Sequence, residues 1–328
     1  MDDTPNLKQI TTNKDLALTD YSKKDKTWDK HRSEAQEVEQ IFSSDERFFK
    51  YADRIRDCSQ ILKFGMQANI DTGELALKLR EAQFCRVRNC PVCQWRRSLM
   101  WQGRFIKALP QIEKDYPTAR WMFLTLTVPN CPVEELRETI QEMNRAWQRL
   151  IKRKRFKPVL GFIRTTEVTH GRNDTAHPHF HVLLLVPPSM FGKHYIRHDE
   201  WLTLWRSCMR DESITQVDIR AVKKKKDAVT AAAVEVLKYS TKPQDMIKNP
   251  EWFLTMSAQV HNLRFMATGG VLKDILREDE ETEQDLILAE DVSEQPDDGA
   301  RLAFSYRPSE RIYRRFARGD VSHKVAED

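Results

Sequence analysis

HPHFHVLLLV (His177 to Val186) is the stretch whose reading decides the fold. Side chains alternate along an extended chain, so His177, His179 and His181 share one face of a strand, and Phe180, Val182, Leu184 and Val186 share the other. The apolar row anchors the strand on a core, and imidazoles two residues apart converge on one divalent ion. Upstream, VLGFIRTTEV (Val159 to Val168) reads as a partner strand across a turn rich in Gly, Asn and Asp, Gly171 to Asp174. On that strand Phe162 and Val168 share one face, and Ile163, Thr165, Glu167 and Thr169 share the other. If the hairpin pivots at Asn173, Glu167 lies opposite His179 on the same face, within reach of a shared ion. A register shift of one residue would turn Glu167 away, which makes His170 the competing third ligand. A carboxylate with two imidazoles leaves positions open for a phosphate oxygen and water, as a catalytic centre requires.

Working outward, RWMFLTLTV (Arg120 to Val128) predicts another strand, with Met122, Leu124, Leu126 and Val128 on one face and Phe123, Thr125 and Thr127 on the other. The hydroxyl row either borders the site or reflects only the suitability of threonine for strands. A helix is predicted from Pro132 to Lys154, another near Asp199 to Met209, a strand near Ile214 to Val222, and a helix from Asp227 to Thr241 closed by Pro243. Elements mixed in this order, with one clear hairpin, indicate an α+β fold: an antiparallel sheet with flanking helices.

The helix predicted after the sheet strands carries its own constellation. Val229, Ala232, Ala233, Val236 and Leu237 form an apolar stripe, while Glu235, Lys238, Tyr239 and Lys242 gather on another face. A phenol of reference pKa about 10 is a poor nucleophile at neutral pH. Nearby ammonium groups favour its phenolate, and a metal-polarised phosphodiester is easier to attack.

Cys85, Cys90 and Cys93 are spaced C-x4-C-x2-C, and Cys58 is the best fourth candidate for a structural zinc site. Cys131 and Cys208 read as ordinary buried thiols. Arg96 and Arg97, directly after the last cysteine of the cluster, are candidates to face DNA phosphates. The net charge of +5 is unevenly spread, with basic blocks at Arg145 to Lys157 and Lys223 to Lys226. Glu278 to Asp298 holds eleven acidic residues and no Lys or Arg, and the tail after it is arginine-rich. The basic blocks fit a phosphate backbone, and equally fit solvated helix faces. No apolar run reaches the roughly 18 residues that a membrane span needs. MDDTPNLKQI has no basic n-region and apolar h-region, so the expectation is a soluble cytoplasmic protein. The expected organisation is a flexible or loosely helical polar leader over 1–45, a four-cysteine zinc subdomain over 46–115, a catalytic domain over 116–245, and an extension over 246–328 with an acidic linker and an arginine-rich tail.

FLTLTVPN (Phe123 to Asn130), HPHFHVLLLV and EVLKYSTK (Glu235 to Lys242), in this order and spacing, resemble the plasmid rolling-circle replication initiators of the Rep class 1 family, within the His-hydrophobic-His endonucleases. FCRVRNCPVCQWRRSLMW (Phe84 to Trp101) is similar to that family too, so the resemblance spans roughly residues 55 to 245. It implies a ferredoxin/RRM-like sheet bearing the His pair and a neighbouring helix bearing the tyrosine. It implies a catalytic Mg2+ or Mn2+ held by His179 and His181, with Glu167 as the acidic ligand inferred from the hairpin register. Tyr239 would attack the scissile phosphate of single-stranded or extruded origin DNA and keep the 5′ phosphate, while a polymerase extends the 3′ hydroxyl. Glu235 matches the group that activates water at termination, with Lys238 and Lys242 beside the DNA. Plasmid origin DNA, a host helicase and a replication polymerase are the implied partners. Two other readings compete: a transposase or relaxase of the same superfamily, and a non-enzymatic zinc-dependent DNA-binding regulator. Relaxases commonly place the tyrosine near the N-terminus, and here it follows the His motif. The regulator leaves the His/Glu and Tyr/Glu arrangements unexplained.

Overall fold

The computed structural model describes residues 16–68, 75–238, 240–275, 282–287 and 301–316. Tyr239, Arg318 and most of the acidic run lie outside these residues. The chain divides into two compact units, one formed by Met1–Cys93 with Thr282–Asp328, the other by Gln94–Glu281. Among the described residues no helix is long and apolar enough to cross a membrane.

The first unit contains the strands Ile61–Ala68 (β1), Leu75–Ala82 (β2), Leu302–Arg307 (β8) and Ile312–Phe316 (β9), which form an antiparallel sheet in the order β2-β1-β8-β9. One expectation is corrected here: the leader, read as flexible or loosely helical, holds a packed helix of 17 residues, Lys26–Phe42, with Trp28, Ala35, Val38 and Phe42 buried. Part of the predicted arginine-rich tail forms β8 and β9. Its Arg311 pairs with Glu37, and the Tyr313 N–H donates to Asp29 Oδ1 at 2.8 Å. The wholly buried Tyr313 hydroxyl donates to the Ser59 carbonyl at 2.6 Å, which satisfies the one polar atom that its burial would otherwise strand.

The second unit is built on strands Arg120–Thr127 (β3), Gly161–His170 (β4), Ala176–Val186 (β5), Val217–Ala221 (β6) and Met266–Gly270 (β7). They form an antiparallel sheet in the order β6-β3-β5-β4-β7. Both faces are covered. On one, Met122, Leu124, Phe180, Val182 and Leu184 pack against Trp147 of the Leu136–Ile151 helix and Trp205 of the His198–Met209 helix. On the other, Phe123, Ile163, Leu183 and Leu185 pack with Phe105 and Leu109 of the Pro91–Asp115 helix and with Val229 and Val236 of the Lys226–Val236 helix. Along β5 the second face therefore reads His177, His179, His181, Leu183, Leu185: histidines at one end, core at the other.

The predicted strand and helix positions agree with this architecture to within a few residues, with one consequential exception. The predicted Asp227 to Thr241 helix ends at Val236. Side chains from other elements take its last carbonyls: Thr165 Oγ1 donates to the Val236 oxygen at 2.6 Å and Ser98 Oγ to the Leu237 oxygen at 2.7 Å. With those acceptors satisfied sideways, the chain leaves the helix without losing hydrogen bonds. Pro243 opens the next helix, Pro243–Lys248, instead of closing this one.

β7 closes the sheet through a backbone contact that only glycine permits. Gly270 has φ +60°, and a Cβ there would lie 2.1 Å from the Leu160 carbonyl oxygen. Gly270→Ala is expected to cost about 1–3 kcal/mol through strain at this position. A urea midpoint equal to that of the wild type would contradict it.

Candidate functional site

β4 and β5 pair with Glu167 opposite His179 and Thr165 opposite His181, the register expected from the hairpin pivot. His181 Nε2 lies 2.9 Å from Glu167 Oε2, His179 Nε2 3.3 Å from the same oxygen, and the two Nε2 atoms 3.1 Å apart. Ligands bonded at about 2.1 Å to one cation stand about 3.0 Å apart in an octahedron and about 3.4 Å apart in a tetrahedron, so the donor atoms fit a shared divalent ion. Glu167 is buried, which opposes its ionisation, but hydrogen bonds to His179 and His181 and the charge of Lys238 outweigh burial and hold the carboxyl well below the usual range. The site thus keeps an anionic ligand ready.

The surrounding residues sort themselves around this group. Thr125 Oγ1 lies 3.4 Å from His181 Nδ1, so the β3 hydroxyl row does border the site there, while Thr127 donates to the Gln216 carbonyl. The His177 ring lies 5.2 Å from that of His179, yet its nitrogens are not in the ligand group, and burial lowers its pKa. His170, the competing third ligand, is engaged elsewhere: Nε2 lies 2.9 Å from Asp174 Oδ1 and the ring meets Trp252 edge-on.

The turn after the Lys226–Val236 helix runs past Glu167. Lys238 Nζ lies 2.5 Å from Glu235 Oε1 and 3.9 Å from Glu167 Oε2, linking the last helical turn to the ligand group. Lys238 is a candidate for DNA contact by sequence, and its ammonium instead sits between two carboxylates. The Val168 N–H donates to the Ser240 carbonyl at 2.9 Å, and Ser240 Oγ donates to Gln94 Oε1 at 3.2 Å. Both sequence neighbours of Tyr239 are therefore tied beside the His/Glu group, and Tyr239 itself lies outside the described residues. The clamping roles of Ser98 and Gln94 are not legible in the sequence. They act across separations of 139 and 146 residues and carry no motif of their own.

The other three expected DNA contacts fare differently. Arg96 is 1% exposed and lies over the Trp95 ring, so its guanidinium is part of the packed interior and not a surface phosphate ligand. Arg97 is half-buried, and Lys242 is exposed at the N-cap of the Pro243–Lys248 helix with no described contact to the His/Glu group.

In the first unit Cys58, Cys85, Cys90 and Cys93 converge as a buried group. Their sulfurs are 3.5 Å (Cys85–Cys93), 3.6 Å (Cys58–Cys93) and 3.8 Å (Cys58–Cys90) apart. Tetrahedral zinc with bonds of about 2.3 Å sets its sulfurs about 3.8 Å apart, and the four thiols fit that geometry. Burial pushes the Cys90 thiol up, and the hydrogen bond with Cys85 does the same to Cys58. Cys131 and Cys208 are buried outside the group, as expected of ordinary thiols.

A family model described as "Replication protein" matches residues 76–314, extending well beyond the stretch recognised from motifs. "Protein rep" of Streptococcus pneumoniae serotype 2 (strain D39 / NCTC 7466) is 30% identical over 312 residues, covering 92% of this chain and 96% of that protein. "Protein rep" of Bacillus amyloliquefaciens is 34% identical over 283 residues, covering 78% and 82%. No solved structure matches at a significant level. With the match running through the His/Glu group and both clamped flanks of Tyr239, the chain belongs to the replication protein family of Rep proteins.

Proposed function

We propose that this chain initiates rolling-circle replication of a small plasmid by nicking one strand of its origin through a 5′ phosphotyrosine. The observation that carries the reading is the convergence of Glu167, His179 and His181 beside the turn whose residues on either side of 239 are held to β4. Glu167, His179 and His181 would hold a divalent cation, Mg2+ or Mn2+, whose chemistry there is to polarise a phosphate oxygen. The phenolic oxygen of Tyr239 forms the new bond to phosphorus and the P–O3′ bond breaks. The phenol proton passes to solvent and the 3′ oxygen leaves as a hydroxyl. Lys238 lends positive charge that favours the phenolate. Cys58, Cys85, Cys90 and Cys93 would hold zinc and organise the first unit. Polymerase extension from the 3′ hydroxyl, with a host helicase, follows from that chemistry.

Glu235 serves the end of the cycle in this proposal. Its carboxylate, paired with Lys238 at 2.5 Å, takes a proton from water at the phosphotyrosine. Glu235→Ala is expected to leave first cleavage within a few-fold of wild type while the covalent adduct persists about 100-fold longer. Equal loss of cleavage and release in a time course would assign Glu235 a structural role.

Incubation of the protein with a supercoiled plasmid carrying its own origin and Mg2+ tests the whole reading. Relaxed circles bearing covalently attached protein are expected. Binding without relaxation would overturn it in favour of a non-enzymatic regulator.

A further inference from the structure

The sheet of the second unit gathers positive charge at the end away from its His/Glu group. β3 begins at Arg120, paired with Val186 at the end of β5; β4 begins at Gly161 opposite Leu185; β6 ends at Ala221 opposite Met122. These pairings bring the loops 152–160, 187–197 and 222–225 to one end of the sheet. On those loops Lys152, Lys154, Lys157, Lys193 and the run Lys223 to Lys226 are exposed, and none has an ion-pair partner among the described residues. Of the nearby carboxylates, Glu200 is held by Arg155 at 2.5 Å and Asp199 by Arg197 at 3.0 Å. Glu113, Asp115 and Asp227 are further acids at this end, too few to neutralise the eight lysines.

Stability does not account for this arrangement. The Lys223 to Lys226 run surrounds the N-terminus of the Lys226–Val236 helix, the end whose dipole disfavours cations by about 0.3–1 kcal/mol each. Beside it a cavity of about 150 Å³ is lined by Tyr116, Arg120, Trp121, Glu113 and the same lysines. A concave, unneutralised lysine surface is the complement of a polyanion. Single-strand grooves interleave their cations with successive aromatic stacking platforms. At this end, among the described residues, Tyr195 is the one large exposed aromatic, at 53%. The charge pattern without a stacking series favours a double helix held by its phosphates.

We propose that this end of the sheet is a separate docking surface for the phosphate backbone of duplex DNA flanking the nick. From His181 to Val186 the strand advances five residues, roughly 17 Å at about 3.3 Å per residue, or about five base-pair steps. Duplex bound there lies one short unpaired stretch from the His/Glu group. The inference rests on the nicking proposal for its role but not for its test.

The test measures binding of a duplex oligonucleotide of about 25 base pairs by fluorescence anisotropy from about 0.05 to about 0.3 M salt. It compares the full chain with the variant carrying Lys223→Ala, Lys224→Ala, Lys225→Ala and Lys226→Ala. Removing one lysine–phosphate pair lowers the slope of log K against log salt by about 0.9, so a reduction of up to about 3.6 for the four lysines and at least tenfold weaker binding near 0.1 M salt are expected. Cleavage of a saturating single-stranded origin oligonucleotide should stay within about twofold, which also shows that the variant folds. The corresponding Lys→Arg variant should keep the wild-type slope. An unchanged duplex slope and affinity would overturn the proposal. An equal fall in single-strand binding or cleavage would also overturn it, by assigning the lysines to the strand in the site. A wild type that binds duplex through these lysines yet never nicks would sink the nicking proposal and leave this surface standing.

Discussion

Tyr239→Phe is expected to abolish strand cleavage and the protein–DNA adduct together, by about 10⁴-fold or more, while leaving origin affinity near the wild-type value. The substitution removes one oxygen and nothing else. In the proposed reaction that oxygen forms the bond to phosphorus, so no slower route through the same site remains. The flanking geometry should survive, because Lys238 and Ser240 are held by contacts that do not involve the ring: Lys238 to Glu235 and Glu167, and Ser240 to Val168 and Gln94. A labelled single-stranded origin oligonucleotide, resolved on a denaturing gel with and without protease, reads both cleavage and adduct. Wild-type cleavage by the phenylalanine variant would end the assignment of Tyr239 as nucleophile.

Cys90→Ser carries the second large expected effect, and on folding. Cys90 is wholly buried among three other sulfurs. Structural zinc contributes an apparent 10–16 kcal/mol or so to small domains at neutral pH, against a typical total stability of about 5–15 kcal/mol. Losing a ligand should therefore unfold the first unit instead of merely loosening it. Bound zinc measured by mass spectrometry should fall from about one per chain to a small fraction of that. Protease should then cut within residues 16–68, which should resist it in the wild type. Retained zinc and an unchanged thermal midpoint would refute a structural zinc centre here.

The site is largely legible in the sequence because β-strand alternation is a rigid rule. Once HPHFHV is read as extended, the partners of His179 and His181 depend only on the hairpin pivot, and Asn173 marks it through its tolerance of positive φ, observed at 55°. The helix carrying Glu235 is legible as a helix but not at its end. Its stop depends on Thr165 and Ser98, hydroxyls distant in sequence that capture its last carbonyls. The first unit is hardest to read. The Lys26–Phe42 helix buries Asp29, His31 and Arg32 as well as apolar residues, so its polar pattern imitates a solvated segment. Contacts that a linear reading does not show hold those groups, such as the 2.9 Å bond from Arg32 to the Arg56 carbonyl. Arg96 misleads in the opposite direction. A basic residue next to a metal cluster suggests DNA, and this one is packed over Trp95.

The pairing of β1 with β8 has a consequence for synthesis on the ribosome. More than two hundred residues, including all of the second unit, are translated between Ala68 and Leu302. Until residues 302–316 emerge, β1 has no neighbour on that side and offers bare peptide groups to any passing strand. The nascent chain should therefore acquire its sheet of five strands first, and a premature stop before residue 302 should yield a product that sediments with aggregates or is cleared by proteases.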